Sequence, residues 1–122
     1  METKKILIIE DEENISNILR INLEMEGFEV EIARDGARGF EAALDFRPDL
    51  ITLDVLMPQR DGWDTLRDLK QDERTRAIPV VMISVMMEQK KAVDLGAQYY
   101  LVKPFLFDQV LEVIHGELAE EN

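Results

Sequence analysis

Along this chain, apolar runs of four to six residues alternate with amphipathic segments of ten to fifteen, the pattern of repeated strand–helix units. Five such units can be read. Ile6, Leu7, Ile8 and Ile9 form a continuous apolar run of the kind buried on both faces of a parallel sheet, which predicts a central strand. The helix predicted after it, over about residues 14 to 26, places Ile15, Leu19 and Leu23 at four-residue spacing beside Ile18 and Met25, and Gly27 supplies a left-handed stop. Residues 28 to 32 then alternate apolar and charged, and that period of two predicts a half-exposed edge strand.

Asp35 and Gly36 read as turn and cap for a short helix through Phe40 and Leu44 to Phe46, which Pro48 prevents from continuing. Leu50 to Leu53 is the third strand. A loop rich in turn residues follows, and Trp63, Leu66 and Leu69 mark the third helix. Pro79 opens a fourth strand over residues 80 to 83. A helix over about residues 87 to 95 ends at Gly96, and a fifth strand is predicted over residues 98 to 102. In the last helix Phe107, Val110, Leu111, Ile114 and Leu118 share one face and acidic residues the other. The expected fold is a doubly wound α/β domain with a five-stranded parallel sheet.

Composition narrows the function. A chain of 122 residues fits one domain over residues 1–122, with no room for an effector domain. Its formal charge of -12 argues against non-specific attraction to nucleic acid or to an anionic membrane, since both are polyanions. There is no cysteine, and no apolar stretch approaches the roughly 20 residues that span a bilayer. The chain runs from Met1 almost directly into strand pattern, without the features of a secretory leader. A cytoplasmic protein is the expectation.

Four of the predicted strands end in residues suited to phosphate or a metal ion: Glu10 and Asp11, Asp54, Ser84, and Lys103 with Pro104. In a parallel α/β sheet the carboxyl ends of all strands lie along one edge, so these residues meet there. Carboxylates so placed repel one another unless a cation lies between them. Mg2+ (or Mn2+) suits such a set, because it takes a few carboxylate and carbonyl oxygens and keeps several waters that phosphate oxygens can replace. The ligands expected are the side chains of Asp11 and Asp54 and the main-chain carbonyl of Leu56, with Glu10 acting directly or through water. An anionic nucleophile approaching a phosphoryl group needs charge neutralisation, for which Lys103 is the second source, and the Ser84 hydroxyl can donate to a phosphoryl oxygen.

The acidic pair Glu10 and Asp11, the run from Asp54 through Met57 and Pro58 to Asp61 and Gly62, the Ile83–Ser84 strand end, and Tyr100 through Lys103 and Pro104 to Phe105 resemble the receiver domain of two-component response regulators over essentially the whole chain. The resemblance implies a flavodoxin-like fold with strand order 2-1-3-4-5. It implies that Asp54 accepts a phosphoryl group from a phosphohistidine on a sensor histidine kinase or histidine phosphotransfer protein. It implies that Asp11 and Asp54 bind Mg2+, that Lys103 holds the phosphate, and that Ser84 and Tyr100 move together on phosphorylation. That movement would alter the face made by the fourth helix, fifth strand and fifth helix, where a downstream protein would bind. The Lys103–Pro104 bond is often cis in the family.

Three departures from the family pattern stand out. Val85 follows the switch hydroxyl where a small residue is usual, and Leu56 and Met86 are apolar where polar residues often assist water attack. Slow self-dephosphorylation is the expectation. The interval from Ser84 to Lys103 is several residues shorter than usual, which should trim the loop or the fourth helix. A kinase helix approaching Asp54 would meet Ile15 and Ile18 of the first helix and Phe105 and Leu106 after the Lys–Pro bond.

Other classes fit less well. A flavin site would want a Gly- or Ser/Thr-rich cradle after the first strand, where Asp11, Glu12 and Glu13 would instead repel phosphate. An aspartate-nucleophile phosphohydrolase would want a second acid close behind the nucleophile, where Val55 and Leu56 stand. A pseudo-receiver that only binds partners, and a receiver cut from a larger hybrid kinase or regulator, are the remaining alternatives. His115 has no second ligand at helical spacing and reads as a solvated surface residue, and Met82, Met86 and Met87 read as core or interface filling.

Overall fold

The computed structural model describes residues 3–55, 62–84, 89–102 and 107–119. Strands and helices alternate as β1 (Lys5–Ile9), α1 (Glu13–Met25), β2 (Glu29–Ala33), α2 (Gly36–Phe46), β3 (Leu50–Asp54), α3 (Gly62–Gln71), β4 (Val80–Ser84), α4 (Gln89–Asp94), β5 (Tyr99–Val102) and α5 (Phe107–Ala119). The strands form one parallel sheet in the order β2-β1-β3-β4-β5. The expected architecture and strand order are therefore both present.

The two sheet faces carry two separate cores, because side chains alternate along each strand. Leu7 and Ile9 of β1 and Ile51 and Leu53 of β3 face Ala43, Trp63, Leu66, Leu69 and Ala92 of α2, α3 and α4. Ile6 and Ile8, with Leu50, Val81 and Ile83, face Leu19 and Leu23 of α1 and Val110, Ile114 and Leu118 of α5. All five residues of β3 are buried, whereas β2 alternates exposed and partly covered positions before ending in a buried Ala33. The central and edge positions follow from those patterns.

Local signals act largely as expected. The Asp35 side chain accepts from the Arg38 backbone amide at 2.8 Å and so caps α2, while Arg47 ends that helix in the left-handed region at φ 53°, just before Pro48. Gly27 closes α1 at φ 96°. The fifth strand starts at Tyr99 rather than at residue 98. Gln98 instead turns its side chain back, accepting from the Val80 amide at 2.7 Å, while its own amide bonds the Val80 carbonyl at 2.9 Å. The fourth helix is described over Gln89–Asp94, and residues 85–88, where the sequence places its start, lie outside the described residues.

One helix face needs correction. Met25 and Ile18 do not join the packed stripe of α1: they are 79% and 58% exposed, and Ile21 is exposed with them. Met25 lies two residues beyond the buried Leu23, roughly 200° round the helix, so the two cannot share a face.

Candidate functional site

The site is assembled at the carboxyl ends of β1 and β3. These neighbouring strands are in register from Ile6 opposite Leu50 to Ile9 opposite Leu53, so Glu10 and Asp54 are the next residues of each. The Glu10 amide donates to the Ala33 carbonyl at 3.0 Å, which holds the chain against β2 as it leaves the sheet. The Glu12 amide donates to Glu10 Oε2 at 3.2 Å and turns that carboxylate back over its own loop. Next to this loop the Arg34 guanidinium donates to the Ser16 hydroxyl of α1. On the β3 side the Gly62 amide donates to the Val55 carbonyl at 2.7 Å and seats the first turn of α3 beside Asp54.

Glu10, Asp11 and Asp54 each offer a carboxylate oxygen within 4.8 Å of the others. Glu10 and Asp54 are buried, at 2% and 4% exposure, and Asp11 is the more open of the three. Two buried carboxylates and a third beside them make a strongly anionic pocket. The donors are all oxygen, with neither histidine nor thiolate in the group, and such a set fits a hard cation of the Mg2+ or Mn2+ kind. Three carboxylates also leave room for waters in an octahedral shell. The residues present thus fit the metal that the sequence implied.

The other expected site residues fall as follows. Ser84 ends β4, one position past the Asp54–Ile83 pair, and its backbone pairs with Val102 of β5, so the register carries the strand end expected of it to the same sheet edge. The Ser84 side chain lies outside the described residues, as do Leu56, Met57, Pro58, Asp61, Val85, Met86, Met87, Lys103, Pro104, Phe105 and Leu106. Tyr100 is described, and it is buried. Of the two docking candidates on α1, Ile15 is partly buried against the core formed by α1, α5 and the sheet, and Ile18 is exposed. His115 is exposed on α5, with its ring 6.1 Å from that of Phe28.

Sequence reasoning missed Gly62 and Trp63 as parts of the site. Gly62 was legible as a turn residue and as the end of the receiver-like run after Asp54, without a contact assigned to it, and Trp63 only as core spacing. Their closeness to Asp54 and to Tyr100 arises when α3 folds back on the sheet.

A family model for the response regulator receiver domain matches residues 6–115. The chain belongs to that family. Among curated relatives, the receiver is 42% identical over 121 residues to the DNA-binding dual master transcriptional regulator RpaA of Synechocystis, covering 97% of this chain and 50% of that protein. It is 40% identical over 104 residues to the transcriptional regulatory protein CpxR of Escherichia coli K12, covering 83% of this chain and 43% of that one. The chain spans about half the length of the curated relatives it matches. Because those relatives are named as DNA-binding or transcriptional regulators, the expectation of no nucleic-acid partner receives no support from the comparison.

Solved structures agree on the fold. The CheY-like receiver domain protein of Methanospirillum hungatei superposes with a TM-score of 0.90 at 26% identity, covering 98% of this chain and 96% of that one. The signal receiver domain of a histidine kinase from Syntrophus aciditrophicus gives 0.89 at 30% identity, covering 97% and 92%. Among the described residues of the receiver, no helix is long and apolar enough to cross a membrane.

Proposed function

We propose that this receiver accepts a phosphoryl group on Asp54 from a phosphohistidine of a sensor histidine kinase or phosphotransfer protein, and thereby switches a protein-binding surface. The observation that carries the reading is the convergence of Glu10, Asp11 and Asp54 within 4.8 Å, two of them buried, at the strand ends of a receiver fold. Asp54 supplies the attacking carboxylate oxygen. A P–O bond forms there as the P–N bond to the donor imidazole breaks, and the imidazole nitrogen keeps the bonding pair and takes up a proton.

Asp11 and Asp54, with the main-chain carbonyl of Leu56 and with Glu10 directly or through water, would hold Mg2+ or Mn2+. When bound, the metal neutralises charge on the carboxylates and on the transferring phosphoryl oxygens. Lys103 balances the remaining phosphoryl charge, and the Ser84 hydroxyl donates to a phosphoryl oxygen once the group has arrived. Ser84 and Tyr100 then transmit the change to the face of α4, β5 and α5. The protein catalyses only its own phosphorylation and dephosphorylation, and acts as a switch rather than as an enzyme on other substrates.

Two surfaces support this reading. Ile18 is exposed on α1, the helix that follows Glu10 and Asp11 in the chain, and would meet a kinase helix, with Phe105 and Leu106 proposed as further docking groups. A groove of about 410 Å3 between β5 and α5 is lined by Tyr99, Leu101, Glu112, Val113 and Glu117, and offers an apolar floor with acidic walls to a downstream protein.

Intact-mass analysis after incubation with acetyl phosphate tests the proposal. One Mg2+-dependent phosphoryl adduct on the wild type, absent from Asp54→Ala, is expected. An adduct that persists in Asp54→Ala would overturn the assignment of the acceptor.

A further inference from the structure

Tyr100 lies in the middle of β5 with its side chain on the sheet face covered by α3 and α4, and it is 4% exposed. Its ring stacks on the indole of Trp63, with centroids 6.4 Å apart and planes inclined by only 11°. Trp63 is itself 6% exposed and stands in the first turn of α3. The ammonium of Lys91, reaching across from α4, lies 4.5 Å from the centre of the same indole. Three elements thus meet on one side chain.

The position of Trp63 is tied to the acidic site through a single residue. Gly62 precedes it, and the Gly62 amide is bonded to the carbonyl of Val55, the residue after Asp54. The indole therefore cannot shift freely relative to β3. A ring near a stacked aromatic partner gains attraction beyond simple burial, and a cation over an indole face adds more, least at exposed sites and most when desolvated. The stacking favours the buried rotamer of Tyr100 over one turned towards solvent, and the Lys91 contact holds the indole on which Tyr100 stacks.

We propose that Trp63, braced by Lys91, is the positioning residue for Tyr100, holding that ring inward before any phosphoryl group is present and linking its position to α4. The inference concerns the unmodified protein. Its bearing on signalling rests on the reading of Tyr100 as a switch residue, but its test does not. In physical terms, removing the brace releases Tyr100 outward, and removing the indole does so further.

The experiment is 19F NMR of protein carrying 3-fluorotyrosine in a Tyr99→Phe background, where Tyr100 is the sole remaining tyrosine. Lys91 is exposed, so Lys91→Met should fold normally. In that variant the inward-to-outward ratio of Tyr100 is expected to fall about two- to five-fold, the size of an exposed cation–π contact. Trp63→Leu should lower it further, and Lys91→Arg should restore it, since a guanidinium stacks as well as an ammonium. A lower melting temperature with an unchanged Tyr100 signal would mean that Trp63 only fills the core. If Tyr100 stays inward in Lys91→Met, and also in Trp63→Leu where that variant folds, the proposal is overturned. Acetyl phosphate adducts measured by mass on the same samples separate the two readings: no adduct on the wild type would end the phosphoacceptor proposal, and the NMR signal would still decide this one.

Discussion

Gly62 lies directly against the backbone of Asp54: a β-carbon built at residue 62 would stand 2.2 Å from the Asp54 carbonyl oxygen and 2.7 Å from the Val55 α-carbon. Neither atom can yield without moving β3. The absence of a side chain here is what lets α3 begin beside the acidic site, and spacing along the sequence gives no hint of that contact. Gly62→Ala should lose about 1–3 kcal/mol of stability, as overpacking against a fixed backbone does. It should also weaken Mg2+ binding, because the shift falls on a carboxylate of the site. Urea denaturation and a metal titration check both, and wild-type values in both would mean that α3 seats differently.

The acidic cluster gives a prediction of opposite sign with and without metal. Bringing three carboxylates within 4.8 Å costs stability when no cation is bound, so Asp54→Asn should melt higher than the wild type in the presence of a chelator. Added Mg2+ should raise the melting temperature of the wild type by mass action, and that rise should largely vanish in Asp54→Asn. Asp11→Asn should weaken Mg2+ at least about tenfold. Differential scanning calorimetry across a Mg2+ series reads all three, and a variant as responsive to Mg2+ as the wild type would remove its residue from the ligand set.

Thr52 is 1% exposed in the centre of β3, and its hydroxyl has no hydrogen-bond partner among the described residues. A buried hydroxyl left unbonded loses its water without replacement. Thr52→Val keeps the branched shape and should add about 1 kcal/mol of stability, or about 3–5 °C in melting temperature. A destabilised variant would show that the hydroxyl does find a partner.

Asp72 and Arg74 form a local pair on the loop after α3, with Arg74 Nη2 2.8 Å from Asp72 Oδ2 and the Arg74 amide also donating at 2.8 Å to Oδ1. The guanidinium contact first, and the amide second, pull the Asp72 carboxyl down to about 2. Its pKa is thus lower folded than unfolded, so the pair stabilises above about 3.8 and loses its contribution as pH falls through about 2. Asp72→Asn should be less stable than the wild type near neutral pH, with the gap closing over that acid range. The pair is solvent-exposed, so the gap is small and shrinks with salt. Carboxyl-carbon NMR of Asp72 tests the titration directly, and an ordinary midpoint would break the assignment.

Ile18 separates kinase docking from chemistry. Its exposed position on α1 lets Ile18→Asp fold normally, so acetyl phosphate labelling should match the wild type while transfer from a cognate kinase slows about tenfold. Equal losses with both donors would place Ile18 in the site itself, and no loss with either would remove it from the docking surface.

Several features of this chain are local and so were written in the sequence. The alternation of Phe28 to Ile32 marked an edge strand, the unbroken run of Ile6 to Ile9 a central one, and Asp35 and Gly27 set the start of one helix and the end of another. Glu10, Asp11 and Asp54 were legible as a cluster because a parallel sheet must bring its strand ends to one edge. The helix faces were less legible. Three-dimensional packing selects Leu19 and Leu23 and leaves Ile18, Ile21 and Met25 in solvent, although all five are apolar.

What the sequence by itself determined was the order of elements, the class of sheet and the chemistry at its edge, because period, capping and strand-end polarity act between near neighbours. What only the tertiary structure decided was which side chains from distant elements touch: Gly62 on Asp54, Trp63 on Tyr100, Lys91 on Trp63. Those contacts depend on how α3 and α4 settle on the sheet, and that placement is set by close packing across the whole core rather than by any residue's own neighbours in the chain.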